Sequence, residues 1–308
     1  MSKVKLVPFK VESVMAASEE IPYGISMMNA PKLWQKGYKG SGVVVAVLDT
    51  GCDYYHPDLK DRIIGGRNFT LDYDGDFSNY YDNNCHGTHV AGIISASENS
   101  SGIVGVAPEA KLLILKVLSS DGTGKCEDII NAIKYATNWT GPNNEKVRVI
   151  NMSLGSKEDI SELHEAIKNA IRRGILVVCA AGNNGDGSAE TSELQYPGGY
   201  FESIQVGAVN SQEELAYFSN TNEELDFVAP GVDIISTFPN GQFAKFSGTS
   251  MAAPYISGAA VLLINYLEAG TDKILSEQEI YSELSSHAKS IGLGKSAEGL
   301  GFVKLDLK

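Results

Sequence analysis

A serine in the last quarter of the chain lies where a catalytic nucleophile would need to be. Ser250 is part of Phe246–Pro254 (FSGTSMAAP), which precedes a predicted apolar helix from Met251 to about Leu267. Backbone N–H groups and the positive end of the helix dipole would lie beside its hydroxyl, where they can stabilise an oxyanion. Serine is also a favoured helix N-cap, so this stretch alone leaves a purely structural role open.

Three further residues complete the requirements for nucleophilic acyl transfer. Asp49 ends an apolar run, His86 follows an acidic loop, and Asn183 follows another apolar run. In this chemistry a serine hydroxyl attacks, a histidine takes its proton and returns it to the leaving group, and an aspartate orients the imidazole. A side-chain amide can stabilise the oxyanion. The residues therefore predict a catalytic site with the chain order Asp49, His86, Ser250.

Five continuous apolar runs predict strands that are buried on both faces. They cover residues 42–49, 111–118, 147–153, 174–182 and 203–209. Helical patterns alternate with these runs, at residues 85–97, 128–139 and 160–173. The alternation indicates an α/β fold, a three-layer sandwich in which helices flank a mostly parallel central sheet. Functional groups collect at the carboxyl ends of such strands, where Asp49 and Asn183 are expected.

Composition narrows the classes of protein and partner. The 308 residues have a net charge of −13 and are 43% hydrophobic, which suits one large domain. The acidic charge is spread out and no basic block appears, so we expect no nucleic acid and no membrane among the partners. The four cysteines lack a framework spacing, and the N-terminus lacks an apolar core of signal-peptide length. We therefore expect free thiols in a cytoplasmic protein.

Four motifs resemble the signatures of subtilisin-type serine proteases, in that family's order. They are Asp49–Gly51 (DTG), His86–Gly92 (HGTHVAG), Ala180–Asn183 (AAGN) and Gly248–Pro254 (GTSMAAP). The resemblance runs from about Glu20 to the C-terminus and implies a serine endopeptidase, a hydrolase with an acyl-enzyme intermediate. By position it makes Asp49 the residue that orients His86, His86 the general base and acid, Ser250 the nucleophile, and Asn183 an oxyanion donor.

The same resemblance implies a cleft that binds an extended peptide between two strand edges. Its implied substrate-binding residues are Leu118, Gly122, Gly124, Ser153, Leu154, Gly155, Gly182 and Gln195. The family often has a small residue at the position of Gln195. We therefore expect Gln195 to shorten or polarise the S1 pocket, which receives the residue before the scissile bond.

Other interpretations account for fewer of these residues. Aspartic proteases need a second Asp-Thr-Gly or Asp-Ser-Gly motif, and the sequence has none. The nucleophile elbow of α/β-hydrolases is similar to the sequence around Ser250, but their chain order is Ser, Asp, His. His86 and His89 have a zinc-compatible spacing without a third ligand. A catalytically silent homologue that only binds peptides is the remaining alternative, and the intact set of four catalytic residues argues against it.

Residues 1–18 resemble the short N-terminal extension of the intracellular subtilisins, with Leu6, Val7, Pro8 and Phe9 at the place of a Leu-Ile-Pro-Tyr-like motif. We predict an inhibitory extension (1–18) before a peptidase domain (19–308), with an activating cut near residues 16–18. An extended apolar segment can lie along the substrate-binding edge, and Pro8 removes a donor and fixes φ. A frayed terminus is the alternative. The resemblance also implies a homodimer and a role in cytoplasmic protein turnover.

The family commonly uses calcium for stability, and oxygen-rich loops suit that cation. A tight calcium site is implied by position for Glu19, Asp58, Asn99 and the carbonyls of Ser97, Ser101 and Ile103. A second, weaker site for Ca²⁺ or Na⁺ is implied for the carbonyls of Gly198, Tyr200 and Ser203 with Glu224 and Asp226. Glu224 and Asp226 can equally be a solvated surface pair.

Overall fold

The computed structural model describes residues 2–15 and 21–306. Its strands are β1 (Lys3–Leu6), β2 (Lys10–Met15), β3 (Val44–Asp49), β4 (Ile63–Asn68), β5 (Lys111–Lys116), β6 (Thr123–Lys125), β7 (Val147–Met152), β8 (Leu154–Gly155), β9 (Leu176–Ala180), β10 (Ile204–Val209), β11 (Phe227–Pro230), β12 (Ile234–Phe238), β13 (Gln242–Ser247), β14 (Ala288–Lys289) and β15 (Phe302–Val303). Its helices are α1 (Tyr23–Met27), α2 (Ala30–Trp34), α3 (His86–Ser95), α4 (Cys126–Asn138), α5 (Ser161–Arg172), α6 (Thr249–Glu268), α7 (Glu277–His287) and α8 (Lys295–Glu298), with a 3₁₀ helix at Asp72–Gly75.

A nine-stranded sheet forms the middle layer, in the order β14-β15-β11-β10-β9-β7-β3-β5-β4. Its neighbouring strands are parallel, except that β14 and β15 are antiparallel. The five apolar runs of the sequence correspond to β3, β5, β7, β9 and β10. The prediction of a mostly parallel α/β sheet is therefore confirmed.

Alternate residues of the central strands enter two separate cores. Val45 and Val47 of β3 belong to the core that contains α3 and α6. Val44, Ala46 and Leu48 of the same strand belong to the core that contains α4 and α5. Successive side chains of a strand point to opposite faces, so only a continuous apolar run can supply both cores. The three-layer architecture follows directly from that pattern.

Helix α6 is the central helix of the fold. With 20 residues and a mean hydropathy of 1.3, it reaches the length and composition of a membrane span, which the sequence analysis did not expect. Yet 83% of its most apolar window is buried, and it packs against α3, β7, β9 and β10. We therefore interpret α6 as a core helix whose apolar character serves the protein interior.

The N-terminal residues form two strands on either side of the predicted Leu6–Phe9 segment. Strand β1 pairs antiparallel with β6 on one side and β8 on the other. Strand β2 pairs antiparallel with β13, which also pairs with β12. The predicted cut near residues 16–18 and the boundary between residues 18 and 19 lie outside the described residues.

Candidate active site

The predicted catalytic residues lie together at the carboxyl edge of the central sheet. Asp49 is the last residue of β3, His86 the first of α3, and Ser250 the second of α6. His86 Nδ1 donates to Asp49 Oδ1 at 2.8 Å, and all three side chains are buried. His86 Nε2 has no hydrogen-bond partner among the described residues. The imidazole is therefore oriented by Asp49, and its other nitrogen is available for proton transfer.

Pro254 leaves the Ser250 carbonyl free to bind Ser153, the residue that follows β7. A proline inside a helix lacks the N–H that would bond the carbonyl four residues earlier, which here is the carbonyl of Ser250. That carbonyl instead accepts a hydrogen bond from Ser153 Oγ at 3.1 Å. In return, Ser250 Oγ donates to the Ser153 carbonyl at 3.4 Å. The predicted nucleophile and the predicted substrate-binding segment are thus joined through two hydrogen bonds.

The Asn183 amide is held in one orientation. Its Oδ1 accepts hydrogen bonds from Thr249 N and Thr249 Oγ1, both at 2.8 Å. Its Nδ2 consequently faces the cleft, where it donates to the Pro8 carbonyl. A Cβ at Gly248 would lie 2.9 Å from this nitrogen, so a glycine is needed for the close approach. The amide can therefore donate to a carbonyl oxygen, as an oxyanion site requires.

A buried carboxylate that the sequence analysis did not single out fixes the start of α3. Asp82 is 1% exposed, and its Oδ1 accepts from Thr50 Oγ1 and Cys85 N, both at 2.9 Å. Its Oδ2 accepts from Thr88 N at 2.9 Å and Thr88 Oγ1 at 2.6 Å. An anion at this position stabilises the positive end of the helix dipole, where His86 lies. Asp82 therefore connects the start of α3, where His86 lies, to Thr50 in the loop that follows β3.

The N-terminal extension lies between the two predicted substrate-binding edges. Val4 pairs with Gly124, and Leu6 pairs with Leu154. The Leu6 N–H also donates to the Gly122 carbonyl at 2.8 Å. Of the remaining predicted substrate-binding residues, Gly155 pairs with Lys5, and Leu118 shares an apolar core with Val4. Main-chain pairing of an extended segment on both sides is the geometry expected for a bound peptide.

The extension continues across the catalytic residues. The Pro8 carbonyl binds the Asn183 amide, and the Phe9 ring centroid lies 4.7 Å from that of His86. Phe9 also packs on Phe246, with 5.0 Å between the ring centroids. The extension therefore covers both the imidazole and the predicted oxyanion donor.

Gln195 lies between Gly155 and Gly182, two other predicted substrate-binding residues. A Cβ at Gly155 would lie 3.0 Å from Gln195 Oε1, and a Cβ at Gly182 would lie 2.7 Å from it. The Gln195 Nε2 group donates to Asn184 Oδ1. The gap between the two glycines thus contains a polar amide. The expected effect of this amide on substrate choice stays a prediction.

His89 is held by contacts with the protein interior, as a structural role requires. Its Nε2 group donates to the carbonyls of Ile234 at 3.1 Å and Ala244 at 3.0 Å, and its ring stacks on Phe246. Burial lowers the pKa of His89 to about 3, so the ring is neutral. Within residues 2–15 and 21–306, no group of three or more His, Cys, Asp or Glu side chains is arranged to hold a metal ion.

Stability should fall in acid because of His89. The unfolded chain binds a proton at this ring below about pH 6.5, whereas the folded chain does so only near pH 3. The free energy of unfolding therefore decreases as the pH falls, by about 2 kcal/mol between pH 6.5 and 4.5. Urea unfolding at several pH values, on a Ser250→Ala background that prevents self-digestion, measures this slope. His89→Gln should have a shallower slope, and a slope equal to that of the parent would contradict the assignment.

The residues of the predicted tight calcium site surround one carboxylate. Asp58 is buried; its Oδ1 accepts from Asn99 Nδ2 at 2.9 Å and its Oδ2 from Ile103 N at 3.1 Å. Ser101 N donates to Asn99 Oδ1, and the buried Ser97 Oγ has no described partner. The predicted residues are thus close to one another, although N–H donors bind both carboxylate oxygens of Asp58, and the calcium site stays a prediction. The predicted ligand Glu19 lies outside the described residues.

Three of the five residues of the predicted weaker cation site line a different cavity, of about 460 Å³. Ser203, Glu224 and Asp226 lie in its wall. Burial raises the pKa of Asp226 to about 6, although Gln205 N and Tyr281 Oη donate to its two oxygens. A nearby cation would offset that desolvation, so the carboxylate fits such a site. The other two predicted residues, Gly198 and Tyr200, precede β10, and the Tyr200 carbonyl accepts from Ser203 N at 2.8 Å.

Comparison with known proteins gives one family. The sequence model of the subtilase family matches residues 40–302. The chain is 49% identical over 304 residues to the major intracellular serine protease of Bacillus subtilis, covering 98% of this chain and 93% of that protein. It is 51% identical over 303 residues to an intracellular serine protease of Paenibacillus polymyxa, covering 98% and 91%. Subtilisin E of Bacillus subtilis is 46% identical over 248 residues, covering 80% and 62%.

Proposed function

The chain belongs to the subtilase family of serine proteases, and on that premise we propose that it is an endopeptidase with Asp49, His86 and Ser250 as its triad. The observation that carries the proposal is the 2.8 Å contact of Asp49 with His86, beside the oriented Asn183 amide. Ser250 Oγ attacks the substrate carbonyl while His86 Nε2 takes its proton. The Asn183 amide and the Ser250 N–H stabilise the oxyanion. His86 then protonates the leaving amine, and water releases the acyl group.

We further propose that residues 1–18 keep the chain inactive as a zymogen until they are removed. Two contacts support this role: the Pro8 carbonyl binds Asn183, and the Phe9 ring lies against His86. A substrate carbonyl needs the same amide, and a substrate leaving group needs access to the same imidazole. The matches to the two intracellular proteases each leave out only about 2% of the chain, so they include most of the extension.

The names of two relatives support a proposal about where the protein acts. Because two relatives that align over 98% of the chain are named intracellular, we propose a cytoplasmic protein that takes part in protein turnover. Protein and peptide substrates are implied by the family. The proposed homodimer rests on the resemblance alone. Sedimentation of the Ser250→Ala chain would test it, and a monomeric mass at micromolar concentration would contradict it.

A covalent serine reagent tests the proposed function against the peptide-binding alternative. A fluorophosphonate reacts only with a hydroxyl that a neighbouring base activates, whereas peptide binding needs no such hydroxyl. After loss of the extension, we expect one label per chain, located at Ser250 by peptide mapping. Binding of peptides without any label at Ser250 would favour the silent homologue and remove the protease proposal.

We also propose that calcium stabilises the folded chain through the Asp58 loop, with a weaker cation near Asp226. Millimolar calcium should raise the melting temperature relative to EDTA by roughly 5 °C or more, because a ligand that binds only the folded state stabilises it. Asp58→Asn should lose most of this calcium-dependent rise. Asp61→Asn, which changes an exposed carboxylate close to Asp58, should keep it. A parental melting temperature that is the same in calcium and in EDTA would contradict the calcium proposal.

A further inference from the structure

We propose that the outer edge of β13 (residues 242–247, the β13 edge) binds the part of a substrate that follows the scissile bond, over about seven residues and through main-chain contacts. The protein would then hydrolyse long, unfolded polypeptides faster than short peptides. This inference rests on the proposed protease function and extends it to the class of substrate.

In the structure the β13 edge is occupied by the chain's own β2. The strands are antiparallel, with the pairs Lys10–Ser247, Val11–Phe246, Ser13–Lys245, Val14–Ala244 and Met15–Phe243. The register shifts between Lys245 and Phe246, so Glu12 has no opposite residue and lies in a bulge. An extended segment of six residues therefore fits this edge.

The position of this segment relative to the catalytic residues shows which part of a substrate it corresponds to. The Pro8 carbonyl lies on the Asn183 amide, where the carbonyl of a scissile bond would lie. Phe9 then corresponds to the first residue after that bond, and Lys10 to Met15 correspond to the second to seventh. Strand β13 leads through Gly248 into α6, which begins one residue before Ser250, so the edge continues directly from the catalytic serine.

The two halves of the extension are held in different ways. On the side before the bond, Val4 is 0% exposed and Val7 is 2% exposed. On the side after it, five of the six β2 residues are exposed, and Val11 and Val14 each keep 48% of their surface exposed. Because all β2 residues except Glu12 pair with β13 while no β2 side chain is fully buried, backbone pairing is the main attachment of β2 to the β13 edge. An edge that recognises only main chain accepts any extended sequence.

Loss of the extension would leave the β13 edge unpaired beside the catalytic residues. An unpaired strand edge offers a row of free N–H and C=O groups to another extended chain. A long unfolded polypeptide can fill this row, whereas a peptide that ends two or three residues after the bond cannot. The structure thus combines side-chain selection before the scissile bond with sequence-independent binding after it, which suits the degradation of many different proteins.

The test is a series of quenched fluorescent peptides, cleaved by the chain after loss of its extension. All share the residues before the bond and an amidated C-terminus, with three, five, seven or nine residues after the bond. We expect kcat/KM to rise about tenfold from three to seven residues and to stay level at nine, since a few added backbone hydrogen bonds suffice for a factor of ten. Reordering the residues at positions three to seven should change kcat/KM by less than about twofold.

N-methylation of single amides separates main-chain pairing from general length effects. Antiparallel pairs alternate between hydrogen-bonded and non-hydrogen-bonded residues. The change in kcat/KM on methylation at position six should therefore differ from the change on methylation at position five or seven. Equal kcat/KM at all lengths, with the bond still cleaved, would overturn the inference alone. Failure to cleave any peptide would overturn the protease proposal and this inference with it.

Discussion

Ser250→Ala is expected to lower kcat by about 10⁶-fold, a magnitude carried over from subtilisin, a relative for which the triad has been dissected. The physical reason is that the variant lacks the proposed nucleophile and therefore cannot form an acyl-enzyme. Asn183→Ala should lower kcat by about 10²- to 10³-fold, again a subtilisin value, because it removes an oxyanion donor and keeps the nucleophile. Steady-state hydrolysis of one long peptide measures both variants.

A matched control is available in the same helix. Ser257 is buried like Ser250, and its hydroxyl donates to Asn151 Oδ1 at 2.9 Å. Ser257→Ala removes a hydroxyl from α6 without touching the catalytic residues, so its kcat should stay within about threefold of the parent, since the loss is one structural hydrogen bond. A Ser250→Ala chain that keeps measurable burst kinetics would contradict the assignment of the nucleophile.

Val4→Asp is expected to raise the initial activity of the full chain at least about 100-fold relative to the unchanged full chain. The reason is that a buried charge without a partner costs several kcal/mol. Val4 is fully buried in an apolar core with Leu118 and Leu154, so the variant should release the extension before any cut. The change lies within the predicted extension. Once residues 1–18 are lost, variant and parent are identical and must reach the same final activity.

The exposed neighbours of Val4 provide the control. Lys3 and Lys5 belong to the same strand, and both side chains are exposed. Lys5→Asp makes a larger change in charge without placing that charge in the apolar core, so the initial activity of the full chain should stay low. If Val4→Asp and Lys5→Asp behave alike, a general loosening of the terminus explains the data and the specific docking of β1 does not.

The central sheet is predictable from the sequence because both of its faces are buried. A strand such as β3 is apolar at every position before its last residue, Asp49, and no other common element gives so short and so continuous a run. Strand β2 shows the opposite case. Five of the six residues in its sequence, KVESVM, are exposed, and no periodic pattern marks it as a strand. Only its pairing with β13, which is distant in sequence, makes it one.

At the candidate active site, residues in contiguous motifs were predictable, whereas a residue whose role depends on contacts between loops was not. Asp49, His86, Asn183 and Ser250 were found because their motifs are contiguous and occur in a specific order. Asp82 was missed because its role consists of contacts to Thr50, Cys85 and Thr88, which depend on how two loops fold.

One local signal for Asp82 was present in the sequence. An Asp-Asn-Asn run, residues 82–84, comes shortly before a helix and is typical of an N-terminal cap. Asn220 offered no such signal. It binds the Ala181 carbonyl at 2.8 Å and Asn184 N at 2.7 Å from a loop far along the chain. Contacts of this kind become visible only in the folded protein.

The most direct test of the account is a time course of the purified full-length chain in calcium. Peptide hydrolysis and the N-terminal sequence are followed together, with Ser250→Ala as the control for contaminating proteases. We predict a low initial rate that rises as the first ~18 residues are lost, because a docked strand blocks the cleft until then, while the control stays silent and intact. Full activity from the start with an intact N-terminus would contradict the inhibitory extension, and no activity in either state would contradict the protease itself.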